Sequence, residues 1–316
     1  MGRCSRGTGW ASSRTTSGWT GRWCRSPTRR CTSCPTRCTT AWAPSGIRAY
    51  TQPDGRAGIW RLDEHLERLF DSMRMCRLAV PYSRETVREA CVEVLRQNRF
   101  TEAYIRPLAF LGAGAMGLGA RTNPVHLAIA AWNWGAYLGD EGLQNGVRLR
   151  TSSFSRNHPN AALSRAKIVG HYVNSIVARY EANDDGFEES LMLDHLGFVA
   201  EGTGENVFVI KGGVVKTPPV SNILPGITRK TVMEILERDG HDVREQLFGR
   251  DAFYVADEAF MCGTAAEVTP IASLDRRPVG DGKPGPVTRH LQQTYADAVR
   301  GKVEWLLPCI TPVPAS

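Results

Sequence analysis

Three features of the 316-residue chain have residue types and spacing that could do chemistry. The first is Lys167, in the stretch ALSRAKIVGHYVNSIVARYEANDDG. Val169, Tyr172, Val173, Ile176, Val177 and Tyr180 follow it at helical i, i+3, i+4, i+7 spacing, which predicts a helix from about Ile168 to Ala182 with one buried face. An amine at the positive end of a helix and partly withdrawn from water is easily relieved of its proton, and is then a nucleophile at neutral pH. Taken alone, Lys167 also fits an ordinary solvated surface charge. The second feature is the pair Glu201 and Glu205, which bracket a glycine turn inside a strand pattern. In the third, Pro225, Gly226, Ile227 and Thr228 open a new helix.

An amine, a carboxylate on an interior strand and a glycine-led helix start are the parts a pyridoxal phosphate site needs. The amine takes the aldehyde, the carboxylate keeps the pyridine nitrogen protonated, and helix N-terminal N–H groups hold the phosphate. In combination, the motifs EGTGENVF, LPGITR and GTAAEVTP resemble those of the branched-chain amino acid aminotransferases, members of the fold-type IV pyridoxal phosphate enzymes, and the resemblance runs from about Gly46 to Leu306.

That resemblance implies roles for particular residues. Lys167 would join the cofactor and then move a proton between the substrate Cα and the cofactor, as base and acid in turn. Glu201 would meet the pyridine nitrogen, Tyr172 the ring hydroxyl, and Arg68, Ile227, Thr228 and Thr264 the phosphate. Arg48, Tyr104, Arg106 and Trp134 would face the substrate, with Ala265 and Ala266 letting backbone N–H groups approach its carboxylate. Glu205 would support the site from behind. The implied reaction moves the amine of L-leucine, L-isoleucine or L-valine to 2-oxoglutarate in two half-reactions, in a cytoplasmic enzyme of two or more identical subunits with no metal. A D-amino acid aminotransferase or an aminodeoxychorismate lyase is the nearest alternative; Tyr104–Ile105–Arg106 and Trp134–Gly135–Ala136–Tyr137 favour the branched-chain group. An inactive cofactor-binding remnant is the alternative from another class, because the chain departs from the family pattern before residue 46 and has Ser45 where the family has an acidic residue.

The net charge of +7 suggests nucleic acid until it is located. Residues 1–44 hold eight arginines and no acidic residue or lysine, so the remainder has 31 basic and 32 acidic side chains, a balance of −1. The same 44 residues lack Leu, Ile, Val, Phe and Tyr, yet contain five of the nine cysteines and four of the eight tryptophans. Such a composition cannot supply a core face, so residues 1–45 are expected to lack ordered structure. It fits translation of a GC-rich gene in a shifted reading frame better than a transit peptide, which needs an apolar face, or a metal site at Cys31, Cys34 and Cys38, which lacks a fourth ligand. The genomic sequence tests this directly: a single-base change should restore a family-like start.

From Gly46 the pattern is that of an α+β protein with hairpins and few crossovers. GIRAY and AGIWRL flank a Gln-Pro-Asp-Gly turn, and Leu62 to Cys76 and Ser83 to Asn98 read as helices. Within the first of these, Arg68 could pair with Glu64 at i, i+4 or serve the site. Arg106 lies in an apolar strand pattern, so it needs an ion-pair partner or a ligand. The expected division is a small domain at 46–134, a linker at 135–146, a large cofactor-binding domain at 147–306 and a loose tail at 307–316. Cys76, Cys91, Cys262 and Cys309 show no metal spacing and read as reduced thiols.

Overall fold

A computed structural model of the chain describes residues 16–19, 22–25, 41–135, 137–221 and 223–315. The first half contains strands β1 (Thr16–Trp19), β2 (Arg22–Arg25), β3 (Ala41–Pro44), β4 (Ile47–Thr51), β5 (Ala57–Trp60), β6 (Ala103–Leu111) and β7 (Val125–Trp132), with helices α1 (Leu62–Met75) and α2 (Arg84–Asn98). The second half begins with α3 (Gly139–Asn145), β8 (Val147–Thr151), α4 (Tyr172–Asp184), β9 (Glu189–Leu193), β10 (Val199–Glu201), β11 (Asn206–Lys211) and β12 (Val214–Thr217). It continues through α5 (Ile227–Arg238), β13 (Asp242–Glu245), α6 (Asp251–Tyr254), β14 (Glu258–Gly263), β15 (Glu267–Leu274), β16 (Arg277–Pro278), α7 (Pro286–Val299) and β17 (Ile310–Pro312).

These strands form two sheets. The first runs in the order β17-β5-β4-β6-β7-β1-β2, with β3 also paired to β6; the second runs β10-β9-β8-β15-β14-β11-β12-β13, with β16 beside β15. Helices α1 and α2 bury Leu66, Leu69, Met73, Val87, Cys91 and Val94 in one core with Ile47, Ile59 and Ile105 of the first sheet. Ser83 caps α2 as expected, its Oγ accepting the Thr86 N–H at 3.1 Å. At the start of α7 the cap comes from a distant strand: buried Glu258 accepts the backbone N–H groups of Val287 and Thr288 and the Thr288 hydroxyl. Tyr50 and Trp60 of the first sheet join a core with Phe208, Phe260, Leu291 and Tyr295 of the second half. The cleft between the two sheets is therefore held by a shared apolar base.

Three expectations are corrected. Strands β1, β2 and β3 lie in the segment expected to lack order, with β1 paired to β7 and β3 to β6. Backbone ladders need no particular side chain, so an established sheet can recruit a segment whose composition offers no core. The remainder of residues 1–40, including Cys31, Cys34 and Cys38, lies outside the described residues. The tail is not loose either: β17 pairs with β5 through Ile310, Thr311 and Pro312, and Val313 is buried in the first core.

The third correction concerns α4. Its large apolar stripe faces outward, with Val173, Ile176 and Tyr180 exposed at 66%, 46% and 65%, while Ser175, Ala178 and Ala182 are buried. Small residues let the helix lie close on the sheet, and the Ser190 hydroxyl donates to the Ala178 carbonyl at 2.7 Å. Periodicity identified the helix and its stripe, but not which side faces the sheet.

Candidate active site

The Lys167 side chain enters the cleft just ahead of a single 3-10 turn, Val169–His171, that leads into α4. Its backbone N–H donates to Ser72 Oγ on α1 at 3.0 Å, which ties the segment to the first half. Its Nζ donates to Tyr172 Oη at 2.7 Å. Burial raises the Tyr172 hydroxyl pKa, but the charges of Lys167, Arg68 and Arg106 outweigh that effect and hold it below its ordinary value. Lys167 and Tyr172 thus form a hydrogen-bonded amine–phenol pair beside a cavity of about 150 Å³.

Glu201 closes strand β10 beneath this pair and is buried. Arg156 Nε donates to its Oε1 at 2.8 Å, and Asn206 Nδ2 and the Leu224 N–H each lie 3.3 Å from its Oε2. Arg156 is itself fixed by Asn174 and Ser175 of α4, each at 3.3 Å. Opposite, Gly226 starts α5, leaving the N–H groups of Ile227 and Thr228 at the helix N-terminus on the cavity wall. A side chain at Gly226 would collide with Asn206, whose Oδ1 lies 2.0 Å from where a Cβ would stand. Arg68 also lines the cavity and donates to the Pro225 carbonyl at 3.3 Å. Glu64 pairs with Arg61, not with Arg68. Burial lowers the Arg68 guanidinium to about 10. Behind it, His65 is buried with Nδ1 3.3 Å from Ser45 Oγ, and burial together with Arg68, Lys167 and Arg61 holds the imidazole pKa well below its ordinary value.

The wall facing these groups is aromatic. The Tyr104 and Trp134 rings meet edge to face at 4.7 Å, and the Arg106 guanidinium lies over Tyr104 and Trp132, donating to Tyr104 Oη at 3.1 Å. Arg106 is exposed and has no carboxylate partner among the described residues, so the expected ion pair is not formed and exposure removes the need for one. Thr264 and Ala265 line the cavity from the turn between β14 and β15, whereas Ala266 is buried beside it and its carbonyl accepts the Thr269 hydroxyl.

Arg48 is placed differently from expectation. Its guanidinium donates to Glu267 Oε1 at 2.9 Å and to the Trp134 carbonyl at 2.6 Å, and it does not line the cavity. Tyr50 donates to the same Glu267 oxygen at 2.9 Å. Glu267 has φ +55, a left-handed conformation that costs a non-glycine residue about 1–3 kcal/mol, and these two donors hold it there. The sequence reading placed Arg48 at the substrate; packing makes it the clamp between the first sheet, the Trp134 connection and the Thr264–Ala266 turn. A larger concavity of about 600 Å³ lies elsewhere, beside Arg77, Leu78, Leu111 and Arg121, and no carboxyl, histidine or lysine lines it.

Residues 46–274 match the amino-transferase class IV family. The chain belongs to the class IV aminotransferases. Among relatives it is 50% identical over 259 residues to a branched-chain-amino-acid aminotransferase of Pseudomonas aeruginosa, covering 82% of this chain and 84% of that protein. Its identity to the Escherichia coli branched-chain-amino-acid aminotransferase is 43% over 261 residues, with 82% and 84% covered. The fold is similar to that of the Thermobaculum terrenum branched-chain amino acid aminotransferase solved in its PLP form, at a TM-score of 0.87 and 31% identity over 96% of this chain and 100% of that one. This class IV aminotransferase therefore has the α+β, fold-type IV architecture expected from the sequence, and it is a branched-chain-type transferase.

Arg156, Asn206 and Ser72 carry no expectation in the sequence, yet each holds a group of the site. Asn206 had a detectable signal, since it stands one residue after Glu205 in EGTGENVF. Ser72 reaches the site from α1 and Arg156 from the loop after β8, and neither has a local pattern that marks it.

Proposed function

We propose that this aminotransferase moves the amino group of L-leucine, L-isoleucine and L-valine to 2-oxoglutarate, with pyridoxal 5'-phosphate as its cofactor. The observation that carries the reading is the Lys167–Tyr172 pair, which lines both the small pocket that Glu201 borders and the neighbouring cavity walled by Tyr104, Arg106 and Trp134. When bound, the cofactor supplies an electron sink for the pair left at Cα as its proton departs. Lys167 anchors the cofactor and carries that proton, and Tyr172 holds the ring oxygen and orients the amine. Glu201, fixed by Arg156, accepts the pyridine N–H. Ile227, Thr228, Thr264 and Arg68 hold the phosphate, and the backbone at Ala265 meets the substrate carboxylate.

The substrate wall has to accept two unlike side chains in alternate half-reactions. Tyr104 and Trp134 offer apolar surface to a branched side chain. Arg106, stacked on rings and free of a carboxylate partner among the described residues, can turn to the distal carboxylate of glutamate or 2-oxoglutarate.

The division into domains at 46–134 and 147–306 belongs to the same reading, as does assembly into a homodimer or larger homo-oligomer, for which the outward apolar stripe of α4 is a fitting contact. Four free cysteines among the described residues fit a reducing cytoplasmic setting. No helix among the described residues is long and apolar enough to cross a membrane.

The test is amine transfer to 2-oxoglutarate from a panel of amino acids. Leucine, isoleucine and valine should lead, with parallel-line ping-pong kinetics. Preference for a D-amino acid, or intersecting lines, would contradict the reading.

A further inference from the structure

Three buried carboxyl side chains lie at and beside the cavity, close enough for their charges to act on one another: Glu189 on β9, Glu201 at the end of β10 and Glu205 in the turn before β11, exposed by 0%, 4% and 3%. Two guanidiniums reach them. Arg156 pairs with Glu201, and Arg179, from α4, pairs with Glu189. Glu189 also accepts the Ser190 N–H at 2.7 Å. Glu205 accepts the Gly204 N–H at 3.0 Å and has no cation paired with it among the described residues. It is also the carboxyl side chain that lines the cavity holding Lys167, Arg68 and Arg106.

An unpaired buried carboxylate near two others is very costly, and taking up a proton removes the cost. We propose that Glu205 enters the active site as an uncharged carboxylic acid, which leaves the cavity's cations to its anionic ligands, and that its ionisation in alkaline solution weakens binding of the substrate carboxylate. The second clause rests on the aminotransferase reading above; the first does not. The groups facing Glu205 are consistent with it. Burial acts first and the Glu189 charge second, with Glu201 adding, against the Gly204 N–H and Arg179; together they push the Glu205 carboxyl to about 8. Tyr137 and Cys262, from the connection and from β14, face the same group, and burial holds both uncharged through neutral pH.

A carboxyl raised from 4.5 to about 8 by folding binds its proton more tightly in the folded state. Its contribution to stability is therefore complete below the lower value and is lost as pH rises to the upper one. The experiment compares the full chain, as holoenzyme, with Glu205→Gln. The wild-type unfolding midpoint should fall across this window relative to the variant, which has no proton to lose. Infrared difference spectra between about pH 7 and pH 9 should show a protonated-carboxyl band replaced by carboxylate bands in the wild type, and no such change in Glu205→Gln. Glu189→Gln, which removes the nearer like charge, should move the transition to lower pH and serves as the test if Glu205→Gln does not fold. The Km for leucine should rise severalfold over the same alkaline step in the wild type, and less in Glu205→Gln. Parallel midpoint curves, or carboxylate bands for Glu205 already present at neutral pH, would overturn the assignment. An intact titration in a protein that ignores leucine would instead overturn the substrate reading and the Km clause alone.

Discussion

The two walls of the cavity are built on opposite plans. On the side of the second sheet, each ionic group the site uses is fixed by others: Arg156, Asn206 and the Leu224 N–H hold Glu201, Asn174 and Ser175 hold Arg156, and Ser72 anchors the backbone of Lys167. On the side of the first sheet, Arg106 lies exposed over aromatic rings with a hydrogen bond to Tyr104. A rigid wall suits a cofactor that is the same in both half-reactions. An adaptable one suits substrates that alternate between a branched chain and a second carboxylate. On the proposed function, chemistry and specificity lie on different walls, and substitutions on the two sides should therefore fail in different ways.

The largest effect is expected from Arg156→Leu, which leaves Glu201 buried without its cation. Breaking such a pair costs about 3–5 kcal/mol, so the variant should unfold at lower denaturant and lose kcat with leucine, isoleucine and valine alike. Normal stability and kcat in this variant would remove the distinction between the walls. Arg106→Ala should leave stability and kcat with leucine near wild type. It should raise the Km for 2-oxoglutarate about tenfold or more, the effect of losing a charged hydrogen bond worth about 1.5–3 kcal/mol. Equal losses toward leucine and 2-oxoglutarate would show that Arg106 is not the adaptable element. The smallest effect on the isolated subunit is expected from Ile176→Glu on the outward stripe of α4, within about 0.5 kcal/mol of wild type for an exposed site. The same change should shift the light-scattering mass toward the monomer, and an unaltered mass would exclude that stripe as the subunit contact.

Much of this arrangement was legible in the sequence because it follows the chain locally. Lys167 and Tyr172 are five residues apart, Glu201 and Glu205 share a turn, and Gly226 to Thr228 form one helix start, so each motif carries its own geometry. Ser83 and the two helices of the first half were readable for the same reason. Arg48 was misplaced because a partner 219 residues away, Glu267, decides where its guanidinium points. The α4 stripe was assigned inward because periodicity records a face without recording what covers it. Arg156 and Arg179 were missed because their ion pairs exist only after the loop following β8 and helix α4 have packed on the carboxylates of β9 and β10. The tail was read as loose because its strand partner, β5, lies some 250 residues earlier in the chain and no local pattern announces it.

Whether Lys167 and Glu201 form one cofactor site that accepts branched-chain amino acids can be read from a spectrum. The most direct measurement is the absorbance spectrum of the purified holoenzyme before and after leucine, beside Lys167→Ala. The visible band of the lysine-linked cofactor should give way to the near-ultraviolet band of its amine form on adding leucine, and the starting band should be missing in Lys167→Ala. A visible band that persists in Lys167→Ala, or one that leucine leaves unchanged in the wild type, would contradict it.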